Sequence, residues 1–193
     1  MLTQENLERW VFVQGQWCYL EPVFSSDDIM KQMPTESTMF RDVDRVWKKL
    51  METVVAEPDA LTVVKIPNLK KTLKDAQNTL DVVQKGLNAY LETKRSLFPR
   101  FYFLSNDELI EILSQTRNVH AVQPHLSKCF DNIKKINFTE EKDSKEIIGM
   151  YSSENEYVTF SESVMAIGPV EHWLRKIEEM MTQSLFDQTK NAW

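Results

Sequence analysis

Residues 69–97 read LKKTLKDAQNTLDVVQKGLNAYLETKRSL. Leu69, Leu73, Ala76, Leu80, Val83, Leu87 and Tyr90 recur in steps of four and three, and the pattern is sustained to Leu97. That rhythm lays one apolar stripe along a helix of about 30 residues, roughly 45 Å long. Pro67 precedes the run and Pro99 stops it, because proline lacks the amide hydrogen a helix interior needs. Gly86 inside the helix costs about 0.5–1 kcal/mol relative to alanine, which points to a close neighbour at that position.

Working outward, Leu7, Trp10, Gln14, Trp17 and Leu20 predict an earlier helix rich in tryptophan, ending at Pro22. A short helix over residues 27–33 follows, capped by Ser25 or Ser26. After Pro34, the residues Phe40, Val43, Trp47, Leu50 and Val54 fall at 3-4-3-4 spacing, the seam of a helix packed along a partner. Downstream, Ser105-Asn106-Asp107-Glu108 is a capping box that opens a helix carrying Leu109, Ile112 and Leu113. Pro124 can start another with Leu126, Phe130 and Ile133 on one face. Residues 146–151 and 156–160 read as two strands of a hairpin. Val170, Trp173, Leu174, Ile177, Met181 and Leu185 mark a final helix with no stop signal before Trp193, so a piece of a longer polypeptide is expected. The expected fold class is mainly α: elongated helical bundles, a long central helix and one β-hairpin insertion. The expected division is an N-terminal helical part over 1–97 and a C-terminal helical part over 98–193, with the hairpin near 146–160.

Composition narrows the function classes. A formal net charge of -6 is a poor match for a surface that neutralises many phosphates, so nucleic acid is not an expected partner. No stretch approaches the ~18 apolar residues that span a bilayer, and no membrane partner is expected. Two cysteines, Cys18 and Cys129, are too few for a disulfide scaffold and suit a reducing compartment.

Catalytic chemistry is hard to find. Phosphate-cradling loops need several closely spaced glycines, and no such pattern occurs among the four glycines of the chain. His125 and Cys129 stand four apart, with His120 upstream, a spacing that can place two metal ligands on one helix face. Without a second ligand pair the preferred reading is a half-buried histidine beside a core cysteine. Asp107, Glu108 and Glu111 read as helix-start carboxylates, and residues 140–143 as a solvated loop. Trp10, Trp17, Trp47 and Trp173 read as core packing rather than as a stacking site.

The segment Lys94-Arg95-Ser96-Leu97-Phe98-Pro99-Arg100-Phe101-Tyr102-Phe103-Leu104 packs three cations and four aromatics around a proline break. Aromatics and arginine are enriched at interface hot spots, yet the same aromatics could seal a junction between helices, and both readings stand at this point. The residues from Phe98 to Leu109, with Gln84-Lys85-Gly86-Leu87 and Tyr90 to Arg95 before them, closely resemble the linker of dynein heavy chains. Trp17 to Pro22, Phe24 to Ile29, Gln32-Met33-Pro34 and Val122 to Phe130 extend the resemblance over nearly the whole chain. Glu21-Pro22, Gln123-Pro124-His125 and Val170 to Leu174 look more axonemal than cytoplasmic. The resemblance implies a helical lever arching over a ring of AAA+ modules in the same heavy chain, moving with the nucleotide cycle of that ring. It implies that ATP and magnesium belong to the parent motor, that no cofactor binds this segment, and that microtubules are reached only indirectly. A cytoskeletal location in the cilium or axoneme follows from the same likeness. Phe98, Pro99, Arg100, Phe101, Tyr102, Phe103, Asn106 and Glu108 become candidates for a hinge or a ring-docking surface. A free-standing helical scaffold or adaptor is the competing function, and an enzyme built around His125 and Cys129 a third.

Overall fold

The computed structural model describes residues 2–63, 65–115, 118–140 and 144–193; of the acidic run 140–143, only Glu140 lies among them. The architecture is mainly α with one small antiparallel sheet. The chain divides into two compact units, Met1–Tyr90 and Leu91–Trp193. Among the described residues no helix is long and apolar enough to cross a membrane.

The first unit contains α1 (Leu2–Phe24), α2 (Asp27–Gln32), α3 (Pro34–Ala56), α4 (Ala60–Val63) and most of α5 (Leu69–Leu97). α3 buries Phe40, Val43, Trp47 and Leu50, as its spacing predicts. α1 differs from expectation in two ways. It continues through Pro22 to Phe24, because a proline in the last turn removes only one ladder hydrogen bond. Its buried face runs through Asn6, Val13, Leu20 and Val23, while Leu7 and Gln14 are exposed, so the stripe begins one residue earlier than expected and meets the expected one at Leu20. Trp10 packs on Trp47 with ring centroids 5.2 Å apart, and Phe24 stacks on Phe40 at 5.4 Å. The Trp17 indole N–H donates to Asp44 Oδ1 at 2.9 Å, satisfying the one polar atom of a half-buried ring.

α5 is the 29-residue helix the periodicity predicts. It starts after Asn68, whose φ of 62° is a left-handed conformation that asparagine tolerates well. Leu73, Leu80, Val83 and Leu87 are fully buried. The seam then passes to Leu91 rather than Tyr90, because a 3.6-residue turn drifts against a strict seven-residue repeat. Tyr90 is half-exposed and its hydroxyl hydrogen-bonds Gln32 Oε1 at 2.6 Å. The close neighbour at Gly86 is Glu36 of α3: a β-carbon there would lie 2.7 Å from Glu36 Cγ.

The second unit begins with the end of α5 and a 3-10 turn, Pro99–Phe103. It continues through α6 (Asn106–Ser114), a second 3-10 stretch (Val119–His125) and the single turn α7 (Leu126–Cys129). Strands β1 (Lys135–Phe138), β2 (Glu146–Tyr151) and β3 (Tyr157–Met165) form a sheet of order β1-β2-β3, followed by α8 (Val170–Asn191). Pro124 therefore sits inside a 3-10 stretch instead of opening a longer α-helix. The expected hairpin is present as β2 and β3, extended by the additional strand β1. β3 is irregular opposite Ile148, where residues 160–163 have no register partner. There the Ser161 N–H donates to Ser184 Oγ of α8 at 2.9 Å and its hydroxyl to Asp187 Oδ2 at 2.8 Å. The Gln123 side chain accepts from the Ile136 N–H (3.2 Å) and donates to the Ile136 carbonyl (2.8 Å), occupying part of the β1 edge. Free strand edges invite pairing with other chains, and side-chain caps of this kind block it.

Candidate functional site

The segment from Phe98 to Leu104 separates into two sets of residues. Phe98, Phe101 and Leu104 are buried, at 1%, 0% and 3% exposure, whereas Tyr102 and Phe103 are 58% and 69% exposed. The reason is local geometry: in a 3-10 turn residues three apart share a face, so Phe98, Phe101 and Leu104 all point inward. Phe98 meets Phe101 edge-on with centroids 5.0 Å apart and Phe130 at 6.1 Å. Pro99 opens the turn at its first position, where a missing N–H costs nothing.

The three cations of the segment are all bonded within the unit. Arg95, 9% exposed, donates to the carbonyls of Phe101 and Leu104, to Asn106 Oδ1 at 2.8 Å and to Glu92 Oε1 at 2.9 Å. The guanidinium also stands 5.9 Å from the Tyr102 ring, whose hydroxyl donates to Glu92 Oε2 at 3.2 Å. Arg100 donates to Glu178 Oε1 and to the Cys129 carbonyl, each at 3.0 Å, and lies 4.9 Å over the Phe130 ring. Lys94 forms a buried ion pair with Glu171 at 2.6 Å. Glu171, in the first turn of α8, is 2% exposed, and its second oxygen, Oε2, finds no hydrogen-bond donor among the described residues. Sequence reasoning missed Glu171 and Glu178, for no local signal links residues 77 and 78 positions apart.

Glu108 completes the Ser105 capping box: its carboxylate accepts the Ser105 N–H at 2.9 Å, and its own N–H donates to Ser105 Oγ. It also pairs with Lys128. The Lys128 ammonium, and then the Ser105 N–H, hold the Glu108 carboxyl down to about 2 from an ordinary 4.5. A carboxyl depressed on folding contributes stability that is present above the ordinary value and fades as pH falls toward the depressed one. Thermal melts between pH 4.5 and 2 should therefore show the stability gap between wild type and Glu108→Gln narrowing as pH falls. A constant gap would contradict this role.

The histidines and cysteine behave as packed residues. His125 is buried, with Nε2 3.4 Å from Glu111 Oε2 and Nδ1 3.9 Å from Glu108 Oε1. Cys129 is 2% exposed, and burial pushes its thiol up to about 11, away from the thiolate that nucleophilic chemistry needs. His120 packs on Phe138 at 4.3 Å. Among the described residues no three His, Cys, Asp or Glu side chains are grouped to hold a metal ion. Trp47 and Trp173 are core residues, while Trp10, packed on Trp47, and Trp17 are half-buried.

Comparison with known proteins places this geometry. Residues 1–192 match the family described as dynein heavy chain, N-terminal region 2. Human dynein axonemal heavy chain 1 is 49% identical over 191 residues, covering 99% of this chain and 4% of the relative. Human dynein axonemal heavy chain 3 is 49% identical over 185 residues (94% and 4%), and rat dynein axonemal heavy chain 12 is 47% identical over 187 residues (95% and 6%). The chain thus spans a few hundredths of the length of these relatives. By a family match over nearly its whole length and by near-half identity to several axonemal proteins, the chain belongs to the dynein heavy chains, as their N-terminal region 2.

Proposed function

We propose that this segment is part of the linker of an axonemal dynein heavy chain, a lever that changes conformation with the nucleotide cycle of an AAA+ ring in the same heavy chain. The ring, binding ATP and magnesium, supplies the energy, and the lever drives microtubule-based movement in the cilium or flagellum. The observation that carries this reading is the joint at the end of α5. A 29-residue helix runs into a turn whose carbonyls are held by Arg95 and whose aromatic core is closed by Phe98 and Phe101. A close-packed interior resists compression and transmits strain, so a helix seated in such a joint passes on displacement rather than absorbing it. Of the two roles considered for Phe98 to Leu104, the packing favours a rigid contact surface over a hinge.

The test is a distance measurement in the intact heavy chain. A donor fluorophore at Ser96→Cys and an acceptor on the ring should change transfer efficiency between the nucleotide-free and the ADP-vanadate states. A free-standing scaffold role predicts no nucleotide-dependent change, and such constancy would overturn the lever reading.

A further inference from the structure

The hairpin of β2 and β3 ends in a turn, Ser152-Ser153-Glu154-Asn155-Glu156, that takes no part in the joint at the end of α5. Six hydroxyl residues of the chain have a carboxylate three positions further on: Ser25, Thr72, Ser105, Ser153, Thr159 and Ser184. Ser153 alone among them has a second carboxylate immediately after it, Glu154, besides Glu156 at the third position. The fold sorts the six further. Thr72, Thr159 and Ser184 lie within α5, β3 and α8. Ser25 and Ser105 lie between elements, but the Ser25 hydroxyl donates to the Glu21 carbonyl at 2.8 Å and the Ser105 hydroxyl accepts the Glu108 N–H in the capping box. Ser153 is exposed at the tip of the hairpin, and its hydroxyl makes no hydrogen bond among the described residues.

We propose that Ser153 is a phosphorylation site, the target of a serine kinase that selects carboxylates after the residue it modifies. The turn is held by its other members. The Ser152 hydroxyl accepts the N–H groups of Glu154 and Glu156 at 3.2 and 3.0 Å, and the Ser152 N–H donates to the Glu156 carbonyl at 2.9 Å. Asn155, in a left-handed conformation at φ 66°, donates its N–H to the Ser152 carbonyl at 3.1 Å. An exposed loop tip of small polar residues admits an enzyme without unfolding the strands behind it. Glu154 and Glu156 are exposed and in no ion pair among the described residues, so their charge is available to a basic recognition groove. In the transfer the Ser153 Oγ attacks the γ-phosphorus of ATP, the bond to the bridging oxygen breaks, ADP leaves, and the hydroxyl proton passes to the base of the kinase. The phosphate adds about 1.5–2 negative charges beside the two carboxylates. Lys134, whose ammonium donates to Asn155 Oδ1 at 3.2 Å, is a cation already at the turn. The proposal needs only this hairpin and stands whether or not the segment acts as a lever.

The intact heavy chain is incubated with MgATP and a purified serine kinase whose specificity on peptides requires a carboxylate three residues after the serine, and phosphopeptides are quantified by mass spectrometry. Ser153 is expected to take up phosphate severalfold faster than Ser25 or Ser105. Glu154→Gln/Glu156→Gln should slow that uptake severalfold, and Glu154→Asp/Glu156→Asp, which keeps both charges, should restore most of it. Both side chains are exposed, so the two variants should share the melting temperature of the wild type, which separates lost recognition from lost folding. No phosphate on Ser153, faster uptake at Ser25 or Ser105, or a rate indifferent to the glutamine pair would each overturn the proposal.

Discussion

Phe101→Ala is expected to destabilise the chain by about 3–5 kcal/mol, the usual consequence of emptying a phenylalanine site in a close-packed core. Phe101 is 0% exposed and packs edge-on against Phe98, which in turn meets Phe130. Its loss opens a cavity at the point where α5, the 3-10 turn and α7 converge. Phe103→Ala, two residues along, removes a ring that is 69% exposed and should stay within about 0.5 kcal/mol of wild type, as surface substitutions do. Urea denaturation of the two variants decides the matter, and equal losses would mean that the turn does not sort its aromatics as described.

The second large effect concerns the buried ion pair. Lys94→Met leaves Glu171, 2% exposed with one oxygen already lacking a donor, as an uncompensated charge. Breaking a buried pair in this way typically costs about 3–5 kcal/mol. Replacing both residues by methionine removes the two desolvation penalties together, and such replacements are often neutral or even stabilising. The Lys94→Met/Glu171→Met variant is therefore expected to recover most of the stability lost by the single change. A double variant as unstable as the single one would show that other contacts of Lys94, rather than the charge pair, carry the effect.

How much of this could be read in the sequence depended on the range of the interaction. The seams of α3 and α5 were legible because helical burial repeats every three to four residues, and the Ser105–Glu108 capping box because it spans only four residues. β1 was not, since four residues with one fully buried position, Ile136, carry no periodicity of their own. The helix expected from Pro124 gave way to a 3-10 stretch and the single turn α7, in which Gln123 is drawn to the β1 edge. The candidate segment was legible as a density of aromatics and cations, but its buried and exposed halves could not be told apart. Which aromatics face inward follows from the three-residue repeat of a 3-10 turn, and the sequence alone favoured no such turn. The inward fate of Arg100 and Lys94 depends on Glu178 and Glu171, which reach them only through the placement of α8.

The central claim is that this rigid joint passes displacement on through its exposed aromatics, and one measurement tests it most directly. In the intact motor, Tyr102→Ala/Phe103→Ala removes the exposed pair and leaves the buried set in place. Interface anchors of this kind commonly contribute about 2 kcal/mol or more, enough to shift an equilibrium between conformations separated by a few kcal/mol. Microtubule gliding should slow severalfold while basal ATP turnover stays within about twofold of wild type, because the proposed function puts the nucleotide sites in the heavy chain outside these 193 residues. Gliding and its coupling to ATP turnover both unchanged would contradict the account.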